Sequence, residues 1–357
     1  FPYTTLFRSG PNVGSGPPPT ASPAGAQTQL AGVGAPGGPP AGAAAPLFMT
    51  GSPVAALGAD GVDGEELVAR AVEVSQAVVT TLIAQTRAAG YIGIDWALAL
   101  IAERSGAVSA WLASSEGPSY IPLGVRIPED VGVAVADPVI GRGLWETTGS
   151  AGGGNPLEVL VQHARQRDAA TPGARVLALA SSLPLGRVTD WAAMVGARPV
   201  SVDAKSVEPA GAAELGDALV HRCAVAMPWE WRQANAFTDR ERLQIAARHM
   251  RMAAVSGHLA ASACDQAMRL FEQGKQISAQ LWKAVQAERI DAMVAYQLAD
   301  QMRHQGGGVD PGQAFRASRA AEVVYCLRNF DTVEGCADIL YASRLAGAPL
   351  NPAVAQR

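Results

Sequence analysis

The stretch TDRERLQIAARHMRMAAVSGHLAASACDQAMRLFEQ, residues 238–273, carries the most regular hydrophobic pattern in the chain. Its apolar and small residues recur at alternating intervals of four and three, the spacing of a heptad seam on one helix face. The centre of the row is Ala and Gly, so a neighbouring helix must approach the backbone closely. The pattern predicts one long helix that buries this row: Leu243, Ala247, Met250, Ala254, Gly257, Ala261, Cys264, Met268 and Phe271.

The same helical period continues to the end of the chain. Thr238 and Glu241 have the spacing of a capping box, and Gly274 is placed to end the long helix. Three more amphipathic helices are predicted, at about 277–302, 311–324 and 331–346. Because short connections force adjacent helices to run antiparallel, residues 207–347 are predicted to form an all-α helical bundle.

Residues 63–206 show a different pattern and are predicted to form a small mixed domain of helices and strands. An amphipathic helix at 65–89 precedes a β-hairpin at 94–102 and 107–113 and a short strand at 131–135. Asn155 and Pro156 then have the residue types that begin a helix. The remaining elements are predicted at 176–180 (strand), 190–195 (helix) and 199–202 (strand).

The first 62 residues are predicted to be a disordered Pro/Gly/Ala-rich linker, since Gly10–Ala59 contains no Asp, Glu, Lys or Arg. Residues 1–9, FPYTTLFRS, look like translated sequencing-adapter read-through, and residues 348–357 are read as a tail. The predicted fold class is therefore α+β: a mixed α/β-strand domain followed by a helical bundle, with a disordered N-terminal segment.

Composition narrows the function classes. The formal charge of −4 and the pI near 5.8 provide no basic field for nucleic acid, and no apolar run has the length of a membrane span. No two of the four cysteines form a C-x-x-C motif, and we interpret all four as buried free thiols in a reducing compartment. We therefore expect a cytoplasmic protein. Its 3 lysines against 25 arginines suggest a GC-rich, actinobacterial genome.

No residue pattern points clearly to catalysis. Gly149–Gly154 precedes a helix and could cradle phosphate, but it lacks the G-K-[ST] ending and is better read as a connector. His221 with Cys223, and His249 with His258, do not form a chelating set. We predict no catalytic residue, no cofactor and no metal. An enzyme with a small-ligand pocket near Gly149–Asn155 stays open as an alternative.

The segment Pro228–Arg232, PWEWR, is the best candidate for a binding site. Two tryptophans two residues apart are large to leave in water, and Trp and Arg dominate interface hot spots. Trp229, Trp231 and Arg232 are therefore candidate partner-binding residues, although one ring could instead seal the end of the bundle. Tyr296 is added because Tyr296 and Asp300 match the pattern Y-x-x-x-[DE], as do Tyr91 and Asp95.

Three stretches resemble the C-terminal half of mycobacterial ESX (type VII) secretion-associated proteins of the EspK type. They are YIPLGVRIP (residues 120–128, after a hairpin that carries Trp96), PWEWRQANAFTDRERLQ (228–244) and AFRASRAAEVVYCLRNFDTVEGCADILYASRL (314–345). The resemblance covers about residues 63–352. Two features depart from the pattern: the helical N-terminal region similar to the PPE family is missing, and no W-x-G turn accompanies Tyr296 and Asp300.

The resemblance implies a non-enzymatic cytosolic chaperone or adaptor. Its partner would be a secreted ESX substrate protein such as EspB, which it would help to deliver to the secretion machine. The resemblance brings no catalytic residues. A self-assembling structural module remains a further alternative.

Overall fold

The computed structural model describes residues 54, 57, 64–117, 120–148, 154–215, 218–257, 259, 262–306 and 311–347. Its strands are β1 (Trp96–Ala102), β2 (Val108–Ser114), β3 (Arg126–Pro128), β4 (Val131–Val133), β5 (Arg175–Ser181), β6 (Arg198–Ser201) and β7 (Leu219–His221). Five of them form the central sheet, in the order β4-β2-β1-β5-β6. β1 pairs antiparallel with β2 and β5, while β4 is parallel to β2 and β6 is parallel to β5.

The sheet confirms the predicted mixed region. β1 and β2 form the predicted hairpin. The sequence of β1 is WALALIA, an almost continuous apolar run, and all of its residues but the last are buried. Helices α1 (Gly64–Ala88) and α3 (Pro156–Ala170) pack on the sheet. Asn155 caps α3 as predicted, since its side chain accepts a hydrogen bond from the Leu157 amide. Two shorter helices complete the region: α2 (Gly141–Thr148) and α4 (Leu185–Ala193).

One described helix, α1, has the length and apolarity of a membrane span. Part of it is interior here, including Val78, Val79 and Leu82, which lie in the same hydrophobic core as the sheet residues. A core helix passes the same test of length and composition, so this observation is weak evidence for a span.

The C-terminal part is helical. It contains α5 (Ala212–Leu215), α6 (Arg222–Ala226), α7 (Pro228–Ala236), α8 (Asp239–Gly257), α9 (Ala263–Glu272), α10 (Ala279–His304), α11 (Gly312–Cys326) and α12 (Val333–Gly347). The predicted capping box is present: the Thr238 amide donates to Glu241, and the Glu241 amide donates to the Thr238 hydroxyl. Gly274 follows α9 with a φ of 63°.

The prediction of one continuous helix over 238–273 is wrong, because the segment forms two helices, α8 and α9. Ser262 begins the second one: its hydroxyl accepts a hydrogen bond from the Asp265 amide. The predicted row is confirmed in part. Met250 and Gly257 of α8 and Cys264 and Met268 of α9 are buried, as predicted. Leu243, however, is exposed, and Ala246 and Ala253, which lie outside the row, are buried.

The close helix approach predicted from the small residues is present. A β-carbon built on Gly257 of α8 would lie 2.3 Å from the β-carbon of Ala320 in α11. Two non-bonded carbon atoms cannot approach so closely. The absence of a side chain at Gly257 therefore permits the close packing of α8 against α11.

The proposed division into two domains can be compared with the packing. A second hydrophobic cluster consists mainly of residues of α8–α12, as expected for a bundle. The main cluster, however, contains both Trp96 of β1 and Tyr341 of α12. Moreover, β3 pairs antiparallel with β7, across the boundary predicted at 206/207. The described parts on both sides of the boundary therefore share a core.

The predicted linker extends too far. Val54 and Leu57 fall within the segment 1–62, yet both are buried in the main core. The Val54 amide donates a 2.6 Å hydrogen bond to a carboxylate oxygen of Asp130. The rest of the predicted linker and the predicted tail lie outside the described residues.

Candidate functional site

Helix α7 presents its first tryptophan to solvent. Pro228 occupies the first turn, where its missing N–H costs nothing, and Met227 precedes it as the capping residue. Trp229 is 43% exposed, and the guanidinium carbon of Arg232 lies 5.5 Å from the centre of its ring. Two of the predicted partner-binding residues therefore lie together on the surface.

The other tryptophan of α7 has a different environment. The Trp231 ring stacks on His221, with ring centres 5.0 Å apart, and is partly buried against the main core. Trp231 also lines an open cleft of about 460 Å³. The other residues that line the cleft are Glu129, Asp130, Val131, Gly132, Val220, Ala224 and Val225.

The cleft combines an apolar surface with two carboxylates. Glu129 is exposed, Asp130 is partly buried, and none of the described lining residues is basic. One wall is the edge strand β4, where a β-carbon on Gly132 would lie 2.7 Å from the Trp111 ring. Such a cleft suits a ligand group with an apolar stem and a positive charge, such as a lysine or arginine side chain.

Tyr296 is not part of this surface, so its assignment as a partner-binding residue is wrong for this conformation. It is 1% exposed, and its ring makes an edge contact with Phe315, with ring centres 5.3 Å apart. Tyr91, from the other match to Y-x-x-x-[DE], is also buried. Both tyrosines pack in the interior.

A second group of polar residues lies inside the protein, between the sheet region and α10–α12. We call it the arginine–tyrosine cluster. Each of its three arginines lies over a tyrosine ring: Arg222 over Tyr341 at 4.5 Å, Arg289 over Tyr91 at 4.9 Å and Arg319 over Tyr120 at 3.5 Å. All six side chains are buried.

The charges of the cluster are balanced by Glu116, Glu322 and Asp338. Arg222 is 2.6 Å from Glu322 and 2.7 Å from Asp338, and Arg319 is 3.7 Å from Glu116. Burial alone would raise the pKa of Asp338, but Arg222 and His221 outweigh it and hold that pKa below its usual value. Burial raises the pKa of the Tyr91 hydroxyl to about 12.

The cluster connects the two regions by direct hydrogen bonds. Tyr120 donates to Glu322 at 2.8 Å, and the Ile121 amide donates to the Tyr341 hydroxyl at 2.7 Å. Arg222 also donates to the Ile121 carbonyl. These hydrogen bonds hold the loop at 120–121 against α11 and α12, although other buried atoms of the cluster, such as Arg222 Nη2 and Arg319 Nε, have no hydrogen-bond partner among the described residues.

A buried histidine lies near the sheet. His163 of α3 is 0% exposed, and its Nε2 atom is 2.9 Å from Asp137, which also accepts a hydrogen bond from Arg167 at 2.7 Å. Burial lowers the pKa of His163, although Asp137 opposes that shift. The ring also packs on Trp111. With no solvent-exposed surface, His163 is placed to hold α3 on the sheet.

The other histidines and cysteines considered from the sequence have structural contacts. His221 caps α6 by accepting a hydrogen bond from the Cys223 amide, and Cys223 is buried with a raised pKa because of its desolvation. His249 is 2.8 Å from the Ser343 hydroxyl. His258 lies outside the described residues. Within the described ranges, no three His, Cys, Asp or Glu residues are grouped to hold a metal ion.

The alternative pocket near Gly149–Asn155 falls mostly outside the described residues, which resume at Gly154. The side chain of Asn155 is occupied by capping α3.

Sequence reasoning singled out the tryptophans of α7, although it did not predict the helix, and it missed the cleft and the arginine–tyrosine cluster. The cleft joins Glu129 and Asp130 to α6 and α7, almost a hundred residues later, and no local pattern reveals that contact. A signal for the cluster was available in α11, where Arg319 and Glu322 interrupt an apolar run of Ala and Val. Charges on the buried face of a helix indicate buried partners.

No family model matches this chain, and no curated protein is similar to it by sequence. The function is therefore inferred from the geometry of α7 and the adjoining cleft, together with the resemblance of the three stretches.

Proposed function

We propose that this chain is a non-enzymatic adaptor or chaperone that binds a secreted ESX substrate protein of the EspB type in type VII secretion. Its site is α7 with the adjoining cleft. The resemblance to EspK-type proteins supplies the partner class and the cytoplasmic location. The surface chemistry supplies the binding residues.

One observation carries the proposal: the exposed Trp229, with Arg232 across its ring, lies on the same short helix as the Trp231 that lines the cleft. An exposed tryptophan beside a concave apolar surface is typical of a protein-binding site, because burying its ring releases a large apolar area from water.

The carboxylates indicate what the partner presents. Glu129 and Asp130 lie on the cleft, so the partner segment carries a lysine or arginine beside an apolar residue. Charge pairing at a rim sets orientation and association rate, and the buried aromatic contact supplies most of the affinity.

The test measures calorimetric binding of a purified EspB-like ESX substrate to the chain and to its Trp229→Ala variant. Loss of a hot-spot tryptophan costs about 2 kcal/mol or more, so affinity falls about thirtyfold. Glu129→Gln weakens binding less and reduces its salt dependence.

Leu185→Ala is the matched control, because Leu185 of α4 is also a large exposed apolar residue, 56% exposed. It leaves the affinity unchanged. If the substrate fails to bind, or binds the Trp229→Ala and Trp229→Ala/Trp231→Ala variants as tightly as the original chain, α7 is not the binding site.

A further inference from the structure

The cleft beside α7 contains an aromatic surface that the fold holds in place. Trp231 lines the cleft, and His221 stacks against its ring at an angle of 18° between the two planes. His221 is itself fixed, because it caps α6 through the Cys223 amide and its Nε2 atom lies 3.2 Å from Asp338. Since His221 covers one face of the indole, the opposite face is the one available to a ligand.

Two adjacent carboxylates lie on another wall of the same cleft, in the turn between β3 and β4. Glu129 is exposed, and no hydrogen bond or ion pair joins its carboxylate to another residue in the described ranges. Asp130 is partly buried, and one of its oxygens is held by the Val54 amide. None of the described lining residues is basic, so the charge of Glu129 is complementary to a cation from outside.

The arginine–tyrosine cluster shows how the same three groups bind a cation inside this protein. The guanidinium of Arg222 lies over the Tyr341 ring, 4.5 Å from its centre. It is also 2.6 Å from Glu322 and 2.7 Å from Asp338. One planar guanidinium thus contacts an aromatic face and two carboxylates at once. The cleft offers an aromatic face and two carboxylates without an arginine of its own.

We propose that the cleft selects an arginine side chain of the bound protein segment over a lysine. The guanidinium lies over the open face of Trp231 and donates hydrogen bonds to Glu129 and Asp130. This inference rests on the proposed function for the location of the site, and it narrows the chemistry of the partner from two basic residues to one.

The preference follows from the difference between the two cations. A guanidinium is planar, weakly hydrated and carries five N–H donors, so it can stack on an indole while it serves two carboxylates. An ammonium group is compact and strongly hydrated, and it loses more hydration when it approaches an aromatic face. The cleft, at about 460 Å³, has room for either side chain, so the discrimination comes from this chemistry and not from size.

The surroundings of the cleft favour an arginine within a protein segment over the free amino acid. Free arginine carries an α-carboxylate, which would be repelled by Glu129 and would find no basic residue among the described lining residues. The cleft is open, and the exposed Trp229 lies on the same helix as Trp231. A longer segment can therefore continue from the cleft onto α7.

The experiment uses the full 357-residue chain and three labelled, capped pentapeptides of one sequence: alanine, leucine, X, leucine, alanine. X is arginine, lysine or citrulline, which keeps the planar shape of arginine without its charge. Fluorescence anisotropy measures the dissociation constants. The arginine peptide is expected to bind at least about fivefold more tightly than the lysine peptide and at least about tenfold more tightly than the citrulline peptide.

Two further measurements locate the site and identify the source of the arginine. The arginine peptide shifts the indole N–H resonance of Trp231, which is identified in the NMR spectrum by its loss in the Trp231→Phe variant. Free arginine displaces the labelled peptide only at concentrations at least about tenfold higher than the unlabelled arginine peptide requires.

Variants separate the aromatic part of the site from the charged part. Trp231→Leu keeps an apolar contact but removes the aromatic face, so the arginine and lysine peptides bind within about twofold of each other. Glu129→Gln weakens both peptides about threefold or more and leaves their ratio little changed. Glu65→Gln is the matched control, because Glu65 is an exposed carboxylate that also neighbours a second one, Glu66. It leaves both dissociation constants unchanged.

Equal affinities for the arginine and lysine peptides overturn the inference, and so does the absence of binding or of a shift at Trp231. Those results leave binding of the ESX substrate through Trp229 standing. Conversely, selective binding of the arginine peptide by a chain that does not bind the EspB-type substrate would sustain the inference and refute the proposed partner.

Discussion

The interiors of the sheet region and the helical region are built from different residues. In the sheet region, large apolar side chains such as Leu98, Leu100 and Leu112 fill the core. In the helical region, α8 and α11 meet through small residues such as Ala253, Gly257 and Ala320. The balanced charges of the arginine–tyrosine cluster lie where α10–α12 meet the sheet region.

The difference shows two ways of specifying a structure. Large side chains fix the register by their shape, because a shift leaves cavities and overlaps. Small residues allow two helices to approach closely. When several faces of a helix carry small residues, however, these residues determine only weakly which face is buried. The paired charges of the cluster can supply the missing specificity, since a displaced helix would leave a buried charge without its partner.

The largest expected effect comes from breaking the cluster. Arg222→Met removes the guanidinium that faces Glu322 and Asp338 and leaves both carboxylates buried with less compensation. The free energy of unfolding falls by about 3 to 5 kcal/mol, as measured by urea denaturation near pH 7.

Arg126→Met is the control, because it removes a pair with Glu334 in which both side chains are partly exposed. It costs about 1 kcal/mol or less. Equal losses for the two variants would show that the cluster does not specify the helical region.

A smaller effect tests the close contact between α8 and α11. Gly257→Ala places a methyl group against Ala320 and forces the helices apart, which costs about 1 to 3 kcal/mol. Alanine is otherwise the better helix former, so the sign of this effect is diagnostic. Thermal denaturation measures it.

The sheet region offers a matched glycine. Gly186 lies within α4, and a β-carbon there would meet no atom within 4 Å. Gly186→Ala therefore raises the free energy of unfolding by about 0.5 to 1 kcal/mol. Stabilisation by both alanines would mean that α8 and α11 are not closely packed.

The smallest effect is a pH dependence in the helical region. Burial and the nearby Arg248 and Arg344 lower the pKa of His249 to about 4. Between that value and the unfolded pKa near 6.5, the unfolded chain binds more protons. The contribution of His249 to the free energy of unfolding is therefore greatest above pH 6.5. As the pH falls from 7 to 5, the free energy of unfolding decreases by about 1 to 2 kcal/mol.

His249→Gln removes this titration, so its denaturation midpoint in urea depends less on pH over the same interval. The contact of His249 with Ser343 is between α8 and α12, so the slope reports on the packing of the bundle. A variant with the slope of the original chain would assign the pH dependence to other groups, such as His163 beside the sheet.

The sheet region was predictable because its local patterns are strong. The apolar run of β1, the glycine turns and the Asn155-Pro156 start of α3 specify their elements from nearby residues alone. In α8 the prediction included the buried Met250 and Gly257, but it chose the exposed Leu243 and missed the buried Ala246, because leucine is the more apolar residue. The break before α9 was signalled by Ser262 and Asp265, an N-cap pair within an otherwise helical period.

The candidate site was predictable in part. Trp229, Trp231 and Arg232 stand out by residue type, and Trp229 and Arg232 lie on the surface. Tyr296 was selected by a short motif that carries no information about burial. Glu129 and Asp130 could not be found, because their position on the cleft depends on the pairing of β3 with β7 and on the fold as a whole.

Asp130 lines the cleft and also accepts the hydrogen bond from the Val54 amide. A cationic occupant that drew Asp130 toward itself would weaken the anchorage of residue 54. By thermodynamic reciprocity, any event that detached residue 54 would change the affinity of the cleft by the same factor. Such an occupant would therefore be energetically coupled to the hydrogen bond of Val54.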